Sequence, residues 1–371
     1  MHILIAPDKF KGSLSALAAA EAIARGFRAV WPDATMDLAP IADGGEGFAE
    51  ALAAALGAEW VNVGSVDAIG RPIDARYAWL PGEKLAVIEM SEASGLWRIA
   101  PEDRAPLRAD TFGTGVLLAD AIARGAARVL IGLGGSATTD GGSGLARALG
   151  YRFANCAGKE SQPTPGTLEL LRQIERPSTL RLPDVIAACD VQNPLLGPRG
   201  TARVYGPQKG AGAELVEVLE RSMSRLADVC ASSFGKDHRD VPGAGAAGGL
   251  GFGLLTFCNA SIRPGFDIIA ETVQLGDRIA AADLVVTGEG RLDDQTLDGK
   301  GPAGIAALAR KAGKRVIGFG GSITDAAERA GLFDTLVPIA NGLPLAEAMR
   351  DAAMLLARAS ERTARSIEKR D

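Results

Sequence analysis

Histidine is almost missing from this 371-residue chain: only His2 and His238 occur, each apart from any nucleophile-like neighbourhood. Ser–His–Asp triads and histidine-rich zinc sites are thereby set aside, and acid–base work has to fall to carboxylates or lysines. Cysteine is also sparse. Cys156, Cys189, Cys230 and Cys258 lie far apart and make no CxxC pair, which points to a reduced interior rather than a disulfide framework. No apolar run approaches the ~20 residues of a membrane span, and the chain enters an apolar stretch at residues 2–7 without a basic leader. A soluble, cytoplasmic protein is expected. There is no basic stripe to track phosphates along a groove, and the formal charge of −5 argues against a nucleic-acid surface.

What is present is small and apolar. Hydrophobic residues make up 47% of the chain but aromatics only 5%, and 47 residues are glycine, the composition of an α/β enzyme. The length favours two domains.

The chain can be organised around residues 283–300, DLVVTGEGRLDDQTLDGK, where an apolar run leads into a densely charged loop. Leu284, Val285 and Val286 read as a short buried strand that breaks at Gly288 and Gly290 into a loop. In that loop Glu289, Asp293, Asp294 and Asp298 alternate with Arg291 and Lys300, and Pro302 then starts a helix ending near Gly313. Ligands of open α/β sheets sit at the carboxyl ends of strands, where carboxylates can hold a metal while cations and helix N–H groups hold phosphate. The competing reading is a solvated loop with glycines for tight turns.

Other stretches repeat the strand–polar loop–helix pattern. Residues 2–7 read as a strand followed by Asp8, Lys11 and Ser13, the last a candidate N-cap for a helix carrying Leu17, Ala20, Ala24 and Phe27. Asp43 and Glu46 can form a capping box. The consecutive Gly44 and Gly45 between them lose backbone entropy unless something must approach the main chain closely. Alternating segments at 59–66, 73–80 and 84–90 suggest an antiparallel insertion. A strand from Arg128 then runs into Gly134, Gly135, Ser136, Thr138, Thr139 and Asp140, a loop whose N–H groups and hydroxyls suit an anion and which lacks the GK[ST] of a Walker loop. The phrase IGxGGSxT occurs at 131–138 and again at 317–324. Residues 155–183 are polar and proline-rich, read as loop and short helix. Next, an apolar run ends on Asp190, which Asn193 and Pro194 hold at a turn, and Gly206, Pro207, Gln208, Lys209 and Gly210 form another loop with a cation. Residues 243–248 fit GxGxxG, but no strand precedes them and no acidic residue follows at the distance a dinucleotide site needs. Residues 252–282 read as helices, and Leu345, Met349, Ala352, Leu356 and Ala359 mark the apolar face of a final helix.

Together, APDKFKGSLSA, ADGGEG, GGSATTDGG, CDVQNPL, GPQKGA and TGEGRLDDQTLDGK resemble, in order and spacing, the bacterial glycerate kinases of the first type, over essentially the whole chain. Lys9, Gly12 and Phe48 depart from the residues usual at those positions. The resemblance implies transfer of the ATP γ-phosphoryl group to D-glycerate to give 2-phosphoglycerate, with Mg²⁺, in a cleft between two α/β domains, one flavodoxin-like. The expected division is a discontinuous parallel-sheet domain of residues 1–66 and 284–371 and an inserted mixed α/β domain of residues 67–283.

On this reading Asp190 is the base or orienting carboxylate, while Lys11 and Arg291 contact substrate carboxylate or phosphates. Asp8, Asp43, Ser91 and Asn193 are candidate substrate-binding residues. Gly134, Gly135, Ser136, Thr138, Gly288 and Lys300 are candidates for nucleotide phosphate, and Glu289 and Asp293 for the metal. The competing classes are a nicotinamide-dependent oxidoreductase using residues 243–248 and a non-catalytic sugar-acid sensor.

Overall fold

The computed structural model describes residues 1–42, 44–155, 158–293 and 301–368. It divides into two compact units, Met1–Asp43 with Glu50–Gly57 and Phe266–Asp371, and Gly44–Ala49 with Ala58–Gly265. The first unit opens with β1 (His2–Ile5) and β2 (Thr35–Leu38). The second holds β3 (Glu59–Val66), β4 (Pro72–Leu80), β5 (Leu85–Glu89), β6 (Arg128–Gly132), β7 (Arg152–Asn155), β8 (Glu160–Ser161), β9 (Leu171–Glu175), β10 (Asp184–Ala188) and β11 (Ser261–Arg263). The chain then returns to the first unit for β12 (Leu284–Leu292), β13 (Arg315–Ile323) and β14 (Thr335–Pro338).

The sheet of the first unit is parallel throughout, in the order β14-β13-β12-β1-β2. Counted along that unit alone this is 2-1-3-4-5, the flavodoxin-like order, whose topological switch point falls between β1 and β12. Continuous apolar strands follow from cover on both faces: Ile3, Leu4, Ile5, Val285 and Val286 are fully buried. Helix Ala16–Arg28 presents Ala20, Ile23, Ala24 and Phe27 to this core, and Ala352–Glu368 packs beside it. Gly26 lets the two helices meet, because a side chain there would strike the Ala357 carbonyl. Ser15, not Ser13, caps the first helix by accepting the Ala18 N–H at 3.3 Å, while Ser13 donates back to the Phe10 carbonyl. The expected terminal helix is two: Leu345 belongs to the short helix Leu345–Arg350 and is exposed, and only Ala352, Leu356 and Ala359 join the buried face.

The larger sheet of the second unit runs β11-β10-β6-β5-β4-β3, with its first four strands parallel and the last two antiparallel. A three-stranded antiparallel sheet, β8-β7-β9, draws β8 and β9 from residues expected to be loop and short helix, and β11 interrupts residues expected to be helical. Strands of two to five residues in a polar, proline-rich stretch carry too little alternation to be read in advance.

The unit boundaries fall at 57/58 and 265/266 rather than at 66 and 284. Residues 59–66 pair antiparallel with β4 and so belong to the second sheet, whereas helices Gly265–Thr272 and Leu275–Ala281 lead into β12.

Candidate active site

In the first unit the polar residues gather at the carboxyl end of the switch-point strands. Asp8 follows β1, is buried, and donates its own N–H to the Gly288 carbonyl at 2.8 Å; its Oδ1 accepts the Lys9 N–H at 2.6 Å. A Cβ on Gly301 would stand 3.4 Å from Asp8 Oδ2, so the start of helix Pro302–Lys311 abuts this carboxylate. Gly288 does not end the strand as expected. β12 continues to Leu292, paired with β13 as far as Ile323, and Gly288 and Gly321 let the two backbones close on one another: a Cβ on Gly288 would strike the Phe319 carbonyl and one on Gly321 the Gly290 carbonyl. Glu289 and Arg291 therefore stand on a strand extension. The second IGxGGSxT lies mostly in β13, whereas the first becomes a loop after Gly132.

Lys11 is exposed, with its backbone N–H 3.2 Å from where a Cβ on Gly290 would lie. Arg291 is 68% exposed and pairs through Nε with Asp293 at 3.1 Å. Among the described residues no three His, Cys, Asp or Glu side chains gather as a metal cage. Glu289 stands on the β12 extension, and Asp293 follows it in the ion pair with Arg291. Asp43 and Lys300, and with them the Asp43–Glu46 capping box, lie outside the described residues.

In the second unit, three adjacent parallel strands bring their carboxyl ends into a row. β10 leads to Asp190, β6 to the loop at 134–140, and β5 to Glu89 and Ser91. Asp190 is half-buried, with both carboxylate oxygens shielded from solvent. Ser91 is buried and donates to Glu89 Oε1 at 2.8 Å, and its Cβ lies 3.4 Å from where a Cβ on Gly135 would stand. Asn193 spends its side chain inside its own loop: Nδ2 donates to the Arg199 carbonyl at 2.8 Å and Oδ1 accepts from Tyr205 at 2.9 Å.

Glu89 was not singled out in the sequence. Its Oε2 accepts the N–H of Gly47 at 3.0 Å and of Ala49 at 3.4 Å, supplying the acceptor that the first turn of Phe48–Leu56 needs. Burial pushes this carboxyl above the usual carboxylate range, against the hydrogen bonds from Ser91, Gly47 and Ala49. The consecutive glycines beside it have a packing cause. A Cβ on Gly134 would lie 2.5 Å from Gly45 Cα, and one on Gly44 would lie 3.1 Å from the Ala188 carbonyl. The partner that must approach the 44–47 main chain is thus the backbone of β6 and β10.

The loop after β6 is fastened at several points. Gly95 and Ser136 form an antiparallel bridge, with Leu96 donating to the Gly135 carbonyl at 2.7 Å and Ala137 to the Ser94 carbonyl at 2.9 Å. Asp140, fully buried, accepts from the Thr111 hydroxyl and from the N–H groups of Thr111, Gly142 and Gly144. Burial, with the charge of Asp140 beside it, pushes Asp110 up to about 6 despite its pair with Arg147. The GxGxxG stretch supports the same loop. Ala247, Gly248 and Gly249 make a left-handed turn, and the Gly248 carbonyl accepts the Gly141 N–H at 3.1 Å. No strand precedes this turn, so it is not a dinucleotide fingerprint. Lys209 is 2% exposed and donates to Ser136 Oγ at 2.8 Å and to the Thr138 carbonyl at 2.5 Å. The hydroxyls of Thr138, Thr139 and Ser143 are buried and find no hydrogen-bond partner among the described residues.

Strand ends that offer N–H groups, hydroxyls and carboxylates, while His238 faces Thr256 elsewhere, suit an α/β enzyme that handles phosphate without histidine. The glycerate kinase family model matches residues 3–368. A glycerate kinase of Bacillus subtilis (strain 168) is 45% identical, over 99% of this chain and 97% of its own. A glycerate 2-kinase of Escherichia coli (strain K12) is 43% identical, over 88% of this chain and 86% of its own. A crystal structure of a proposed glycerate kinase 2 from Salmonella typhimurium LT2 superposes with a TM-score of 0.89 at 40% identity, covering 100% of this chain and 98% of that one. This chain belongs to the glycerate kinase family, and so to the kinases.

Proposed function

We propose that the chain transfers the γ-phosphoryl group of ATP to a hydroxyl of D-glycerate, giving 2-phosphoglycerate. The observation that carries this reading is the row formed by Asp190, the 134–140 loop and Glu89–Ser91 on three neighbouring strand ends. Phosphoryl transfer asks a protein for positioning and charge neutralisation, with one group to take the hydroxyl proton.

Asp190 is the group that orients the glycerate hydroxyl and accepts its proton as the new bond to phosphorus forms. Its shielded carboxylate oxygens support that role, since proton transfer is best aligned away from bulk water. The 134–140 loop contacts nucleotide phosphate through backbone N–H groups near Gly134, Gly135 and Ser136. In the first unit, Lys11 and Arg291 neutralise carboxylate or phosphate charge. Asp8 stands at the switch point, where a doubly wound sheet takes its ligand. Glu289 and Asp293 would hold Mg²⁺, Asp293 by leaving its pair with Arg291. The metal supplies charge neutralisation on the phosphates. Ser91, held against Glu89, is a candidate contact for glycerate, whereas Asn193 is committed to shaping the turn after Asp190.

The test is ADP release that depends on D-glycerate, followed by ³¹P NMR of the product. Release of ADP with a phosphorus signal coupled to the C2 proton supports the reading. A nicotinamide absorbance change instead would mark an oxidoreductase, and glycerate binding without turnover would mark a sensor.

A further inference from the structure

A lysine with 2% of its surface exposed is costly to bury, and Lys209 takes no part in the phosphoryl-transfer roles assigned above. Local sequence sends it inward. Pro207 opens a single 3-10 turn, Pro207–Lys209, and Gly210 closes it in the left-handed region at φ 95°. Arg104 braces the turn, donating to the Gln208 carbonyl at 3.0 Å, and its Cβ lies 3.1 Å from where a Cβ on Gly210 would stand. Val216 and Leu219, with Ala202 and Ala211, form a small apolar cluster beside it. The side-chain nitrogen, Nζ, then reaches two acceptors two residues apart on the glycine-rich loop, Ser136 Oγ and the Thr138 carbonyl. Both bonds lie on the same three-residue stretch, so together they fix its curvature as well as its position.

We propose that Lys209 is a positioning residue for the nucleotide phosphate: it holds residues 136–138 from the protein interior so that the N–H groups of the loop stay pre-shaped for the anion. This rests on the phosphate role given to the loop. Preorganisation of this kind acts on nucleotide affinity, because an unfastened loop must be ordered at the moment of binding. Glycerate, handled by other groups, is affected less.

The experiment uses the full chain as Lys209→Met, which keeps length and removes both donors, with Lys209→Arg as the second variant should the first not fold. Two readouts are taken. Hydrogen exchange of the 134–140 amides in the protein without substrates reports loop order whatever the enzyme does. Steady-state kinetics report KM for ATP and for D-glycerate separately. The expected result is faster exchange confined to the loop and a rise of roughly tenfold in the ATP KM, with the glycerate KM within about twofold. Ser136→Ala combined with Lys209→Met should be less than additive, since the two share a hydrogen bond. Unchanged exchange in a folded variant overturns the proposal, as does loosened exchange with an unaltered ATP KM. Failure of the kinase reading itself is seen separately, as a wild-type chain that releases no ADP with glycerate.

Discussion

Glu89 accepts the backbone N–H of Gly47 at 3.0 Å, so the carboxylate ending one buried strand caps a helix start 42 residues earlier in the chain. The arrangement substitutes for a local cap and ties the glycine-rich turn at 44–47 to the strand end that also carries Ser91. Glu89→Ala removes the acceptor for two backbone donors and one hydroxyl in a buried setting. A loss of roughly 1–3 kcal/mol of stability is expected, measured by denaturant unfolding, together with lower turnover. An unchanged unfolding midpoint would show that water replaces the carboxylate at no cost.

Asp190→Asn keeps shape and hydrogen bonding while removing the charge. If Asp190 accepts the glycerate proton, kcat should fall roughly 10²- to 10⁴-fold with a much smaller change in the glycerate KM. Near wild-type kcat in a folded variant would reassign the residue to the turn at Asn193 and shift attention to Asp8.

Arg291 is largely exposed and its pair with Asp293 is a surface one, worth about 0–1 kcal/mol. Arg291→Ala is accordingly expected to leave the unfolding transition in place while impairing turnover. Full activity would return the end of β12 to a solvated role.

Burial pushes Lys209 down from its ordinary 10.5 to about 7, with Asp140 pulling the other way. Between those values the unfolded chain carries a proton that the folded chain lacks, so this residue makes stability rise with pH across about 7 to 10.5. Lys209→Met has no such dependence. Unfolding of both proteins at pH 7 and pH 9 should show the difference moving in favour of the wild type at the higher pH. A difference independent of pH would mean that the lysine stays charged where it is buried.

Much of the scaffold was legible because apolar runs and glycine-bounded loops are local signals. The strands at 2–5, 128–132, 184–188 and 284–286, and the antiparallel hairpins between 59 and 89, follow from their side-chain pattern. The extension of β12 to Leu292 was not legible. It depends on glycines of β13 accepting a close backbone, and the same phrase IGxGGSxT makes a loop elsewhere. Glu89 escaped notice although LAVIE carries the signal used for Asp190, an apolar strand ending on a carboxylate. Lys209 could not be placed from sequence, because GPQKG reads as an exposed turn and only the fold reveals that its lysine points inward.

The most direct measurement is a coupled assay of the purified chain with ATP, Mg²⁺ and D-glycerate, with the product examined by ³¹P NMR. The account predicts ADP formed in step with glycerate consumed and a phosphate on the C2 oxygen. ATP left intact while glycerate is present at saturating concentration would contradict it.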